Sequence, residues 1–148
     1  MCGAVRFFLV ANRSNSRFLA DSARTRTKSL NDALQARNNS ITIDLNNRVL
    51  TLYRDSQLFK SYPVAVGAPD SPTPTGNWTI AEKIANPGGP FGSRWMGLSI
   101  PWGSYGIHGT NMPDSIGTYA SHGCVRMFNE DVIDLYNLVS IGTPVQIF

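Results

Sequence analysis

"ITIDLNNRVLTLYRDSQLFKSYPVAVG", residues 41–67, is written in two-residue alternation. Ile41, Ile43 and Leu45 fall on one face of an extended segment, and Asn46-Asn47 can turn the chain because asparagine tolerates positive φ. "RVLTLY" (48–53) returns, "RDSQ" (54–57) turns again, and "LFKSYPVAVG" (58–67) supplies a third strand. This is a β meander, and it sets the fold class.

Working downstream, "APDSPTPTG" (68–76) carries three prolines that cannot donate to a ladder, so it reads as a surface loop. "NWTIAEKI" (77–84) resumes a strand and "ANPGGPFG" (85–92) is a loop. "RWMGLSI" and "SYGIHG" are further strands, and "TPVQIF" closes the chain as another. One segment is helical: "NEDVIDLYNLVSIG" (129–142). Asn129 is its expected N-cap, Glu130 and Asp131 suit the positive end of the dipole, and Val132, Leu135, Tyr136 and Val139 form the apolar stripe. Gly142 and Pro144 are expected to end it. The sum is a mainly β domain over 40–148 with one short helix and no internal repeat.

Upstream the texture differs. Residues 1–39 hold seven basic side chains (Arg6, Arg13, Arg17, Arg24, Arg26, Lys28, Arg37) against Asp21 and Asp32. The other residues hold six basic and eight acidic side chains, so the domain has no basic surplus to recommend nucleic acid, and no motif for it. The leader reads as a solvated, poorly ordered basic tail whose one helical hint is "SLNDALQAR" (29–37), with Ser29 as N-cap. "RFFLVA" (6–11) is short for a signal-peptide core, and no apolar run approaches the roughly 18 residues that span a bilayer. Cys2 and Cys124 are the two cysteines; with Cys2 at a terminus, a disulfide between them is not expected.

The chemistry concentrates in "IHGTNMPDSIGTYASHGCVRM" (107–127). Both histidines, His108 and His122, and the domain's cysteine, Cys124, lie within it among glycines. If 121–126 is extended, His122, Cys124 and Arg126 share a face. Three readings compete. Cys124 can be a small buried hydrophobe with the histidines as satisfied polar residues. His108, His122 and Cys124 can be three ligands of a catalytic zinc with an open fourth position. Or Cys124 is a nucleophile activated by an imidazole, with the Gly123 turn aiming backbone N–H groups at a developing oxyanion.

This run resembles the signature of the L,D-transpeptidase catalytic domain (YkuD-type) family, in which a histidine in an H-G context precedes an S/T-x-G-C segment by a little over a dozen residues. "PTPTGNWTI" (72–80) and "GLSIPWGSYGIHG" are similar to family features too, so the resemblance covers about 40–148. It implies a mixed-sheet, sandwich or barrel-like β fold with one short helix after the cysteine segment, and an enzyme of peptidoglycan remodelling. It also implies that Cys124 attacks a stem tetrapeptide, releasing D-alanine. The thioester then passes to an amine (a 3→3 cross-link) or to water (L,D-carboxypeptidase activity). His108, sixteen positions upstream, is implied as the base that makes the sulfur anionic, with Gly123, Ser121 and the Cys124 backbone shaping the oxyanion site. His122, Gly109 and Trp102 take supporting roles, and Arg126 either binds a substrate carboxylate or pairs with Glu130 or Asp131. Most of Trp78, Trp95, Trp102, Tyr105 and Tyr119 are expected in packing, with Trp95 and Trp102 open to a groove. The family implies no cofactor, a monomer outside the membrane at the cell wall, stem peptides as partners and carbapenem-type β-lactams as covalent inhibitors. No second wall-binding repeat fits residues 1–39. A zinc hydrolase and a non-catalytic wall-binding module are the alternatives.

Overall fold

The computed structural model describes residues 13–148; the readings given for Cys2 and "RFFLVA" lie outside the described residues. The chain divides into two units, parted between Leu34 and Gln35. The first contains most of α1 (Arg13–Arg37), so the helical hint at 29–37 belongs to a longer helix. The span holds no glycine or proline, while Ala20, Ala23, Leu30 and Leu34 favour helix. Its hydroxyls, which weakened the sequence signal, bond back along the helix: Thr25 Oγ1 donates to the Asp21 carbonyl and Thr27 Oγ1 to that of Ala23, each at 2.9 Å.

The second unit is a curled mixed sheet. Its strands are β1 (Asn39–Asp44), β2 (Val49–Arg54), β3 (Gln57–Pro63), β4 (Val66–Gly67), β5 (Gly76–Ala85), β6 (Arg94–Leu98), β7 (Gly106–His108), β8 (Tyr119–Ser121), β9 (Val125–Arg126) and β10 (Pro144–Ile147). Eight of them form one sheet in the order β3-β2-β1-β10-β5-β6-β7-β9, parallel at β1/β10 and β7/β9 and antiparallel elsewhere. The expected meander is β1–β3. Its inward face buries Ile41, Ile43, Leu50 and Leu52, which meet Met96, Ile107, Val125 and Val145 in one core.

The expected third strand, 58–67, breaks in two, and that break builds the site. Beyond Pro63 the chain leaves β2. Ala65 exchanges backbone hydrogen bonds with Arg126, 2.9 Å each way, and β4 pairs in parallel with β8. The cysteine segment is thus gripped from both sides, by β7 along β9 and by 65–67 along β8 and Arg126. The proline-rich loop that follows is fixed by Thr73, a buried residue whose Oγ1 accepts the Gly67 N–H at 2.9 Å.

Helix α2 (Asn129–Leu138) packs on β6 and β7 through buried Val132 and Leu135. It ends earlier than expected, because the sheet supplies the missing donors for its last carbonyls. Lys83 Nζ, from β5, donates to the carbonyls of Tyr136 and Val139 at 2.7 Å each, and Asn39 Nδ2, from β1, donates to that of Leu138 at 2.6 Å. The Lys83 ammonium also lies 4.0 Å from the centre of the Tyr136 ring. Lys83→Met keeps most of the stem but strands two partly buried carbonyls, and is expected to lower unfolding free energy by about 1–3 kcal/mol. Urea denaturation at constant m-value measures this, and an unchanged midpoint would mean that water serves those carbonyls equally well.

Candidate active site

The parallel register Ile107↔Val125, His108↔Arg126 sets the histidine beside the cysteine segment. Cys124 stands one residue before β9, alongside Gly106. Its sulfur accepts the Gly106 N–H and lies 3.9 Å from the Ser104 carbonyl oxygen. The Arg126 charge acts on both the His108 imidazole and the Cys124 thiol, so the three side chains share one electrostatic neighbourhood. The β7/β9 register thus sets His108 opposite Arg126, on the strand that runs beside the Cys124 segment.

His108 is held more firmly than its sequence context shows. It is buried at 3% exposure, and its ring stacks on Trp95 (centroids 5.6 Å apart, 19° between planes) and meets Phe91 edge-on at 5.2 Å. Nδ1 bonds to the Gly109 carbonyl. A carbonyl can only accept, so Nδ1 carries the proton and Nε2 keeps a lone pair, the state a general base needs. Burial, chiefly, holds the imidazole below its ordinary pKa, with the Arg126 charge adding to the fall and the Gly109 bond opposing it. For Cys124, burial pushes the thiol up, while the Gly106 N–H and Arg126 pull it down less strongly. Both shifts favour the uncharged forms, thiol and imidazole, which suits a histidine that takes the proton as the sulfur attacks.

The segment 121–126 is not one extended strand, as the shared-face reading supposed. It bends at His122 and Gly123, where Gly123 takes φ +119°. A Cβ there would lie 2.6 Å from Tyr105 Cε1, so both the conformation and the space require glycine. Buried Ser121 locks the bend: its hydroxyl donates to the Cys124 carbonyl and accepts the Gly123 N–H at 3.1 Å. That N–H is consequently spent inside the turn and not offered to an oxyanion.

His122, at the bend, is exposed and lines an open groove of about 660 Å³. The 70–75 loop makes one wall; Trp102, Tyr105 and His122 make another. Trp102 is 62% exposed there, its ring braced edge-on by Trp78 at 5.3 Å. Trp95 packs on His108 and is not among the groove's lining residues; Tyr119 lies under the Arg48 guanidinium, 4.9 Å away. Among the described residues no three of His, Cys, Asp and Glu are grouped so that they could hold a metal ion. Arg126 takes no part in the one ion pair among the described residues, Lys60–Asp134 at 2.7 Å, so its expected alternative, a pair with Glu130 or Asp131, is not formed.

The curled mixed sheet thus carries a half-buried cysteine, a buried histidine with its Nδ1 bonded to a carbonyl, and a groove lined by Tyr105 and His122. The chain belongs to the L,D-transpeptidase catalytic domain family, whose pattern matches residues 38–147. It is 50% identical over 107 residues to the putative L,D-transpeptidase YkuD of Bacillus licheniformis, the match covering 72% of this chain and 64% of that protein. It thus spans a little under two thirds of that relative. Among solved structures, the catalytic domain of the Enterococcus faecium L,D-transpeptidase superposes with a TM-score of 0.64 at 27% identity, over 76% of this chain and 98% of that one. A second, described as the Ldtfm-avibactam carbamoyl enzyme, superposes with a TM-score of 0.66 at 27% identity, over 75% of this chain and 49% of the other.

Two functional features were missed by sequence reasoning. Phe91 was assigned to a loop, and Asn129 to a helix cap. The cap is in fact Phe128, without a side-chain hydrogen bond, and Asn129 is the first helical residue. No local pattern could reveal the partners of its amide, which lie on loops 19 and 36 residues away.

Proposed function

We propose that this chain is a peptidoglycan L,D-transpeptidase, a cysteine acyltransferase working at the bacterial cell wall. The observation that carries the reading is the parallel β7/β9 register, which runs His108 beside the Cys124 segment, together with the His108 Nδ1 bond to the Gly109 carbonyl, which leaves Nε2 as the base. As Sγ attacks the carbonyl carbon of the stem tetrapeptide's diamino acid, at its L-centre, the thiol proton passes to Nε2 and the carbonyl oxygen becomes an oxyanion. The Cys124 N–H is the donor assigned to that oxyanion, since the Gly123 N–H is engaged by Ser121. Collapse breaks the C–N bond, and Nε2–H delivers its proton to the departing D-alanine amine. The thioester then accepts an amine from another stem, giving a 3→3 cross-link, or water, giving L,D-carboxypeptidase activity. In either step His108 removes the proton of the incoming nucleophile.

The half-buried Arg126 guanidinium, free of Glu130 and Asp131, is the group assigned to a substrate carboxylate, and the groove beside Gly123 receives the stem. Carbapenem-type β-lactams, which present a strained acyl group to the same sulfur, are the assigned covalent inhibitors, and the avibactam adduct of the relative fits this chemistry. Among the described residues no helix is long and apolar enough to cross a membrane.

Intact-protein mass spectrometry after incubation with a carbapenem, or with a disaccharide-tetrapeptide, tests the class directly. An adduct of one acyl group, mapped by peptide fragmentation to residue 124, is expected. Unmodified protein together with undiminished binding to sacculi would instead favour a wall-binding module.

A further inference from the structure

Asn129 caps nothing, yet its amide makes three hydrogen bonds to the backbone of the two loops that flank His108. Oδ1 accepts the Ser93 N–H at 3.1 Å and the Thr110 N–H at 3.2 Å, and Nδ2 donates to the Thr110 carbonyl at 3.0 Å. Ser93 closes the loop that carries Phe91 and opens onto β6. Thr110 directly follows Gly109, the residue whose carbonyl receives the His108 Nδ1 proton. Gly109 and Gly92 both crowd the amide: a Cβ on either would run into Asn129 Oδ1. The fold has cleared space for this one side chain on both loops.

We propose that Asn129 is a positioning residue for His108: its amide ties the 109–110 backbone to Ser93, keeping the Gly109 carbonyl on Nδ1 and Phe91 against the imidazole edge. The role is exerted through the backbone, since Asn129 touches neither the thiol nor the substrate. Its two arms act on the two features that make His108 a base, the fixed tautomer and the water-poor surroundings. The asparagine amide accepts both N–H groups on Oδ1 and donates from a separate atom, Nδ2, without carrying a charge beside the imidazole. Arg126 is the charged group whose field reaches the imidazole, and it stands on β9, outside the clamp.

Imidazole ¹H–¹⁵N spectra of the full chain test the idea without recourse to activity, because the protein has two histidines and His122 is an internal control in the groove. Wild type is expected to show His108 as the Nδ1–H tautomer, resisting protonation to below the ordinary imidazole range. In Asn129→Ala the Nδ1–H population should fall and the His108 titration should move up toward that range, while His122 stays in place. Asn129→Asp keeps both accepting contacts and loses only the donation to Thr110, so its tautomer should shift less. A folded Asn129→Ala protein whose His108 tautomer and titration match wild type overturns the proposal. Should that variant fail to fold, the tautomer in Asn129→Asp decides in the same way: a partial loss of Nδ1–H supports the clamp and a wild-type tautomer overturns it. The kinetic arm rests on the proposed acyl transfer. Acylation of Cys124 should slow about 10–100-fold in Asn129→Ala, in the rate and not in the concentration dependence. If wild type forms no adduct at all, the acyl-transfer reading fails while the spectra still judge Asn129.

Discussion

Cys124→Ala is expected to abolish covalent capture of a carbapenem and all turnover of a tetrapeptide stem, a fall of about 10⁵-fold or more. No other group can substitute for the sulfur. Cys124 is the free cysteine among the described residues, and the hydroxyl nearest to it in sequence, that of Ser121, is buried and committed to the turn. Intact mass after hours of incubation checks the claim, and adduct formation in the variant would relocate the nucleophile. The wild-type pH profile carries the finer point. Because burial raises the thiol, alkylation by iodoacetamide should climb with pH through a midpoint above that of an ordinary cysteine. Because burial lowers the imidazole, base-assisted acylation by a carbapenem should persist as pH falls past the ordinary histidine range. A resting thiolate–imidazolium pair would reverse the first result, with fast alkylation already below neutral pH.

Much of this architecture was written in local pattern. The alternation of 41–53 gave β1 and β2 their inward faces, Ile41/Ile43 and Leu50/Leu52, because a half-buried strand must alternate. The cluster of both histidines with Cys124 pointed to the site, since such residues seldom gather among glycines for packing alone. What stayed hidden depended on contacts distant in sequence. The third strand splits because Ala65 finds Arg126 and Val66 finds Tyr119, partners more than fifty residues away. Helix α2 stops at Leu138 because Lys83 and Asn39 satisfy its carbonyls, a service no cap signal encodes. The burial around His108 is hidden in the sequence for the same reason. Spacing suggests the Cys–His pair, but the burial that lowers the imidazole comes from Trp95, Phe91 and the closing of the sheet.

His108→Ala and His122→Ala separate the two imidazoles, and their effects should differ by orders of magnitude. Removing His108 takes away the acceptor for the thiol proton and the donor for the leaving amine. Acylation near neutral pH is then expected to fall about 10²–10⁴-fold, the range typical of a lost general base. The deficit should shrink as pH rises, because hydroxide can then ionise the thiol unaided and the variant no longer needs a base. His122 stands two residues from the sulfur in sequence, yet the Gly123 bend turns it into the groove with Trp102 and Tyr105. Its removal should leave the rate constant of acylation within a few-fold of wild type and act on the concentration of stem peptide required. Single-turnover kinetics with a chromogenic carbapenem across pH 5–10 distinguishes the two patterns. A large, pH-dependent rate loss in His122→Ala with His108→Ala active would exchange their roles, and would require the bend at Gly123 to straighten before substrate is bound.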